Sequence, residues 1–275
     1  MKKEYFVEKD SIVREIWGKG DTILFIFAGA ASEFALNKAV DWLYFTGRLP
    51  ADPLGRLLTT VEYARKIIFS EKKAALQAID SIAAIHSAVE KKRGANIPEW
   101  AYRDVLFLLI YYSIRSFEVL ERELTMTEKV EVFDVFNRLG ARMGIKGLPE
   151  NFRAYEELRK EHLENDLEYS SHTKDLYKQY RKHLGPMRYQ ILREAQTLVS
   201  PPRVRELLNF RKISLLSPVI VIYKLSRTLK LNYIMRDIFL PSRYKREIRD
   251  LDANPDFIKS CPFKKKARRF ENLYF

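Results

Sequence analysis

Cysteine is almost missing from this chain: Cys261 stands alone among 275 residues. That excludes an internal disulfide framework, and it excludes any thiolate cluster that would hold zinc or an iron–sulfur centre within one chain. A reducing compartment is the natural expectation. Long apolar runs are missing too. The longest, Thr22 to Leu36, is interrupted by Gly29 and carries Glu33, so it falls short of the roughly 20 residues a spanning helix needs and reads as a buried core helix. The opening MKKEYFVEKDS has neither an apolar stretch nor a small-residue cleavage site behind its lysines, so no secretory signal is expected and the cytoplasm is the default location.

Glycine and proline are scarce, at 10 and 11 residues, and strand-like alternation of useful length is absent. Between those few punctuation points apolar residues recur at spacings of three and four, which is the pattern of amphipathic helices. With 47% apolar residues the chain can bury a substantial core. The expected fold is all-α, a single globular multi-helix bundle. Helices are expected over 11–17, 22–40, 53–69, 72–92, 98–123, 127–143, 149–168, 173–183, 186–198, 202–210 and 218–230. Asp52 before Pro53, Asn96 before Pro98, and Thr125 three before Glu128 are candidate caps. Gly144, Gly147 and Gly185 stand where helices should stop.

Charge is uneven. Lys and Arg number 49 against 36 Asp and Glu, a net charge of +13, enough to attract an anionic polymer or bilayer. The excess sits in the last third, in segments such as YKLSRTLK, PSRYKREIR and FKKKARR. No zinc-finger spacing, RNP-like aromatic motif or helix-turn-helix accompanies it, which argues against nucleic acid as the partner. The composition turns basic and apolar together after Ser200 to Pro202. The chain is therefore divided into a helical domain, 1–204, a basic and partly apolar C-terminal helical extension, 205–270, and a terminal ENLYF, 271–275, that matches the start of an engineered protease-cleavage site and is read as an expression-tag remnant.

One helix stands out chemically. In KKAALQAIDSIAAIHSAVEKK, residues 72–92, Leu76, Ile79, Ile82, Ala83, His86 and Val89 fall on one stripe, so His86 faces inward. A buried imidazole left unsatisfied costs on the order of 1–3 kcal/mol. It therefore needs a hydrogen-bond partner such as a carbonyl or carboxylate, or a metal. Ala83, Ala84 and Ala88 beside it would let a flat macrocycle approach the backbone. His162, His172 and His183 lie in charged surroundings and are expected at the surface. Upstream, in ADPLGRLLTT, Arg56 and Thr60 are four apart and share a helix face. They read either as an anion- or oxygen-binding pair or, for Arg56, as a partner of Asp52.

The order DPLGRLLTT, an AIH helix, a long apolar helix ending in LERE, a cap at Thr125 to Glu128 and a GIKGLPENF turn resembles the catalytic domain of the latex-clearing rubber oxygenases and the ER-bound oxygenase MpaB, over Ile12 to Val204. The resemblance implies an all-α haem b protein that uses O₂ to cleave carbon–carbon double bonds. By it, His86 is the iron ligand, Ala83 and Arg56 contact the cofactor, and Arg56 and Thr60 are catalytic residues on the distal side. An imidazole ligand and distal polar groups are levers a protein has on such iron. The chain departs from the family in four places. Thr59 stands where latex-clearing members have a lysine. Gly29 and Ala30 replace a His-Pro pair, and Leu109 and Ile114 replace a histidine and an aspartate.

Tyr111, Tyr112 and Phe117 on the long helix, and Phe25 and Phe27 on the first apolar helix, are expected to pack in the core, with a pocket wall as the other reading. Ser217 to Leu240 mixes an apolar run with Lys224, Arg227, Lys230 and Arg236, the composition of a helix lying on an anionic membrane or packed on the bundle. The resulting expectation is a haem b-dependent oxygenase, iron-containing, acting with O₂ on an apolar isoprenoid or lipid-like substrate, cytoplasmic and peripheral to an anionic membrane. The alternative is a non-catalytic helical module that binds lipid or a membrane surface.

Overall fold

The computed structural model describes residues 3–47 and 51–228. Eleven α-helices follow one another among them: α1 (Ile12–Trp17), α2 (Gly20–Phe34), α3 (Asp41–Phe45), α4 (Pro53–Phe69), α5 (Lys72–Arg93), α6 (Glu99–Leu120), α7 (Met126–Arg142), α8 (Phe152–Asn165), α9 (Ser171–Val199), α10 (Pro202–Leu207) and α11 (Ser217–Thr228). The described residues contain no strand, only two isolated bridges, Tyr5 with Glu71 and Asn37 with Leu167. The expected all-α bundle is thus the observed fold. No described helix is long and apolar enough to cross a membrane.

The core forms where α1, α2, α6 and α7 meet. Trp17, fully buried, sets its ring edge-on to Phe27 at 6.0 Å and near Phe136 at 6.0 Å. Its indole Nε1 donates to Ser113 Oγ at 3.1 Å, so the one polar atom of the ring is satisfied. The guanidinium of Arg65 donates to the Trp17 carbonyl at 2.9 Å, closing the end of α1 onto α4. Helices α2 and α6 pack most extensively. A Cβ on Gly29 would overlap the Tyr112 ring and come within 2.8 Å of a Val199 methyl, so the small residue is what allows α2 this close to α6 and α9.

Local chemistry sets most boundaries. Asp52 accepts from Gly55 N at 2.9 Å and Pro53 opens α4; Gly94, at φ 71°, ends α5 behind Lys91, Lys92 and Arg93, cations that suit the negative end of a helix. Asn96 does not cap α6. Pro98 takes that place without a side-chain bond, and Glu90 Oε1 instead accepts from Ile97 N at 2.9 Å. Thr125 and Glu128 make the expected reciprocal capping box on α7. Thr125→Ala should therefore cost about 1 kcal/mol of stability, read as a lowered urea midpoint with unchanged slope.

The first apolar helix is shorter than expected. It stops at Phe34, and the chain turns at Asn37, whose Oδ1 accepts from Ala39 N at 2.8 Å. The freed backbone pairs with the end of α8: Lys38 N donates to Asp166 O at 3.0 Å and Glu168 N to Leu36 O at 2.8 Å. Long α9 joins what reads as two helices. Gly185, at φ 73° and ψ 170°, followed by Pro186, bends it between them.

Packing runs on past the break expected near residues 200–204. Ser200 Oγ bonds Ser32 Oγ at 2.8 Å, Val204 is buried, and α11 packs on α6 with Lys224 Nζ donating to Glu118 O at 3.2 Å. The remainder of the basic extension, including Lys230, Arg236, Cys261 and the FKKKARR run, lies outside the described residues, as does ENLYF.

Candidate active site

A cavity of about 560 Å³ opens between α2, α4, α5, α6, α9 and α11, within the size range of small-molecule sites. Its walls are mainly apolar, and Phe25, Phe27, Leu109, Val219 and Ile220 contribute to them. Arg56, Thr60 and His86 all line it. Helical spacing puts Arg56 and Thr60 on one face of α4, and the antiparallel-neighbour packing of α4 on α5 brings His86 to the same space.

His86 is half-buried, and its Nδ1 is buried with no hydrogen-bond partner. Burial, and then the neighbouring Arg56 guanidinium, hold its pKa down to about 4. The ring is neutral at physiological pH, with a lone pair available. Tyr102 packs against it with centroids 5.3 Å apart, and the Tyr102 hydroxyl donates to Glu90 Oε1 at 3.1 Å. Neither a backbone carbonyl nor a carboxylate satisfies Nδ1, so the bland reading of a hydrogen-bonded core histidine does not apply to this atom.

The other expected residues are distributed unevenly. Thr60 Oγ1 donates to Arg56 O at 3.2 Å and Thr59 Oγ1 to Gly55 O at 3.0 Å, but Thr59 does not border the cavity. Ala83 is half-buried and is not on the cavity wall; the α5 residues that face it are Ile82, Ile85, His86 and Val89. Gly29 is a helix-packing position, Ala30 and Leu109 line the cavity, and Ile114 belongs to the core. Tyr112 and Phe117 are buried in the core and Tyr111 is partly buried against it, whereas Phe25 and Phe27 reach the cavity.

His162 corrects an expectation. It is 2% exposed, not at the surface, because charged residues from α2 and α6 receive it. Glu33, wholly buried in α2, takes a bidentate pair from Arg159. Glu33 also receives the Tyr112 hydroxyl at 3.0 Å and contacts His162 Nε2 at 3.0 Å. On the other side of the ring, Asp104 Oδ2 is 2.7 Å and Asp166 Oδ2 3.5 Å from Nδ1. Burial alone would raise the Glu33 pKa, but Arg159 and His162 hold it down to about 2. Burial likewise opposes protonation of His162, and the Asp104 and Glu33 carboxylates outweigh it, holding that pKa up to about 9. His172 is half-buried with its ring against Tyr44, and His183 is exposed, nearer to expectation.

The signal for this network is a periodicity of polar residues. Tyr155, Arg159 and His162 repeat at four and three along α8, with Asp166 four further on at its C-cap, and Asp104 and Tyr112 stand eight apart on one face of α6. Each is a single stripe, and Glu33 is a buried charge near the end of an otherwise apolar helix whose other charge, Asp21, is in its first turn.

A family model for the ER-bound oxygenase mpaB/B′ and rubber oxygenase catalytic domain matches residues 16–227. That span runs from α1 through α11 and includes Arg56, Thr60 and His86 of the cavity wall. No curated protein and no solved structure is significantly similar to the chain. With a family-specific match over most of its length, and the same helices enclosing the cavity, the chain belongs to the family of mpaB and rubber oxygenase catalytic domains.

Proposed function

We propose that this chain is a haem b-dependent oxygenase that uses O₂ to oxidise or cleave an apolar, isoprenoid or lipid-like substrate. The family supports the oxygenase reaction class, and hence O₂ and a small-molecule substrate. One observation carries the choice of cofactor: a neutral imidazole on the wall of an apolar cavity, with a buried nitrogen that no protein group satisfies, facing the same space as a guanidinium and a hydroxyl. Such a donor set fits haem, for which a single histidine is a sufficient protein ligand.

His86 is the residue proposed to hold the iron. Haem b, when bound, supplies the redox-active iron at which O₂ reacts. Arg56 fixes a positive charge in the cavity, where it favours negative charge developing on an oxygen-derived group. Thr60 can accept a hydrogen bond as it stands, since its own proton is committed to the Arg56 carbonyl. The apolar walls exclude water and hold a hydrocarbon chain. Of the expected cofactor contacts, Ala83 is the one that the cavity wall does not support.

Absorbance is the test. Protein expressed with haem supplied should show a Soret band, and His86→Ala should lose most of it. A chain without the band, or with a band indifferent to His86→Ala, would overturn the assignment.

Docking on an anionic membrane is the second part of the reading. Helix α11 turns Val219, Ile220 and Tyr223 toward the cavity, with Leu216 just before it, yet Val221 and Ile222 on its other side are 60% and 62% exposed. A helix apolar on both faces beside a basic segment suits the bilayer interface. This observation also favours the non-catalytic lipid-binding alternative, which haem content decides. A cytoplasmic, membrane-peripheral location is proposed on the same ground.

A further inference from the structure

Three potential metal ligands converge on the side of His162 that faces away from Glu33. His162 Nδ1, Asp104 Oδ2 and Asp166 Oδ2 lie within 4.8 Å of one another. Carboxylates alone would carry little weight, but the histidine adds an independent observation. Its side chain is 2% exposed, and its buried Nδ1 is ion-paired with Asp104 and Asp166 but has no well-aligned hydrogen bond. Asp104 Oδ2, although 2.7 Å away, lies off the direction in which a ring N–H would point.

We propose that Asp104, His162 and Asp166 form a binding site for one divalent cation of the zinc or manganese class, distinct from the His86 wall of the cavity. The donor set, one imidazole and two carboxylates, suits these ions, the imidazole favouring zinc and the carboxylates the harder manganese, and three protein ligands leave a position for water. The surroundings match as well. Metal-ligating histidines generally give their second ring N–H to a carboxylate, which fixes the tautomer and orients the ring. Glu33 fills that role at Nε2, 3.0 Å away, and is itself locked by Arg159 and Tyr112.

Spacing is compatible. Ligands about 2.1 Å from a tetrahedral ion stand roughly 3.4 Å apart, and Nδ1 to Asp166 Oδ2 is 3.5 Å. Asp104 has to draw back by several tenths of an ångström; a single 3.4 Å bond from Asn37 Nδ2 holds its Oδ2 otherwise. Asp166, with 28% of its side chain exposed, provides the way in from solvent. Asn37 also lines the cavity, so the two sites share a wall.

A proton on Nδ1 is the rival occupant, and titration with metal alone separates the two. Full-length protein stripped with a chelator is titrated with Zn²⁺ by calorimetry, and in parallel with Co²⁺, whose visible bands report its ligands. One saturable equivalent is expected. Asp166→Asn, which keeps the Asp166 backbone bonds to His162 and Lys38, should weaken it at least about tenfold and change the Co²⁺ spectrum. Asp166→Glu should recover part of the affinity.

His183→Ala, at an exposed histidine elsewhere, should have no effect. His86→Ala should bind zinc as the unmodified chain does, so this readout and the Soret band fail independently. No saturable binding, binding indifferent to Asp166→Asn, or binding lost in His183→Ala would overturn the proposal.

Discussion

Glu33→Ala should destabilise the fold by about 3–5 kcal/mol, because it removes one partner of a buried ion pair and strands the other. Arg159 is 5% exposed and His162 2%, and both pair with Glu33. Two further losses add to this. The Tyr112 hydroxyl, in a fully buried residue, loses its acceptor, and α2 loses its polar tie to both α6 and α8. The measurement is equilibrium urea unfolding followed by circular dichroism, with Glu33→Gln as the milder comparison that keeps the shape and one acceptor oxygen. A loss below about 1 kcal/mol for Glu33→Ala would place the pair in the range of solvent-exposed bridges and contradict the burial.

Trp17→Ala should cost about as much, roughly 3–5 kcal/mol, through a different mechanism: deletion of a large side chain from a closed core leaves a cavity that its neighbours fill only in part. The ring has no exposed surface and is enclosed by Phe27 and Phe136, residues on α2 and α7 that cannot both follow a shrinking side chain. Ser113 also loses the indole donor. Trp17→Phe should lose considerably less, since most of the ring volume remains. The same unfolding measurement checks it, and near-equal losses for the alanine and phenylalanine variants would show that the hydrogen bond, not the packing, matters at this position.

Most helices were legible because their causes are local. The stripe Leu76, Ile79, Ile82, His86 sits in one helix, the box at Thr125 and Glu128 is closed by two residues three apart, and Gly144, Gly147 and Gly185 all adopt the left-handed φ that a stop requires. Failures arose where distant segments decide. Nothing near Phe34 ends a helix by propensity. It ends there because the Asn37 turn pairs its backbone with Asp166 and Glu168, more than a hundred residues on. Asn96 was an equally plausible cap from its neighbours, but the side chain of Glu90, one turn back on α5, already serves that loop.

The functional residues divide in the same way. Spacing alone put Arg56 beside Thr60 and turned His86 inward, yet no periodicity can place two helices side by side, so their convergence on one cavity came from the family resemblance. His162 was misplaced because the charged residues around it, in EELRKEHLEND, look like a solvated surface. The acids that draw it inward are Glu33 and Asp104, 129 and 58 positions away in the chain. A charge is buried when its counter-charge is buried with it, and that condition is tertiary.

The bend in α9 has a bearing on capacity. Tyr180 and Leu184 before Gly185, and Arg188, Leu192 and Ala195 after it, all border the cavity. A straight rod would touch a rounded chamber along only one of those arms. Gly185 has open space where a side chain would sit, but its φ of 73° suits glycine alone. The angle set at that one residue therefore helps to decide how bulky a guest the chamber admits, while the groups that would act on the guest stand on other helices. Selection for a new substrate could work on the former and leave the latter untouched.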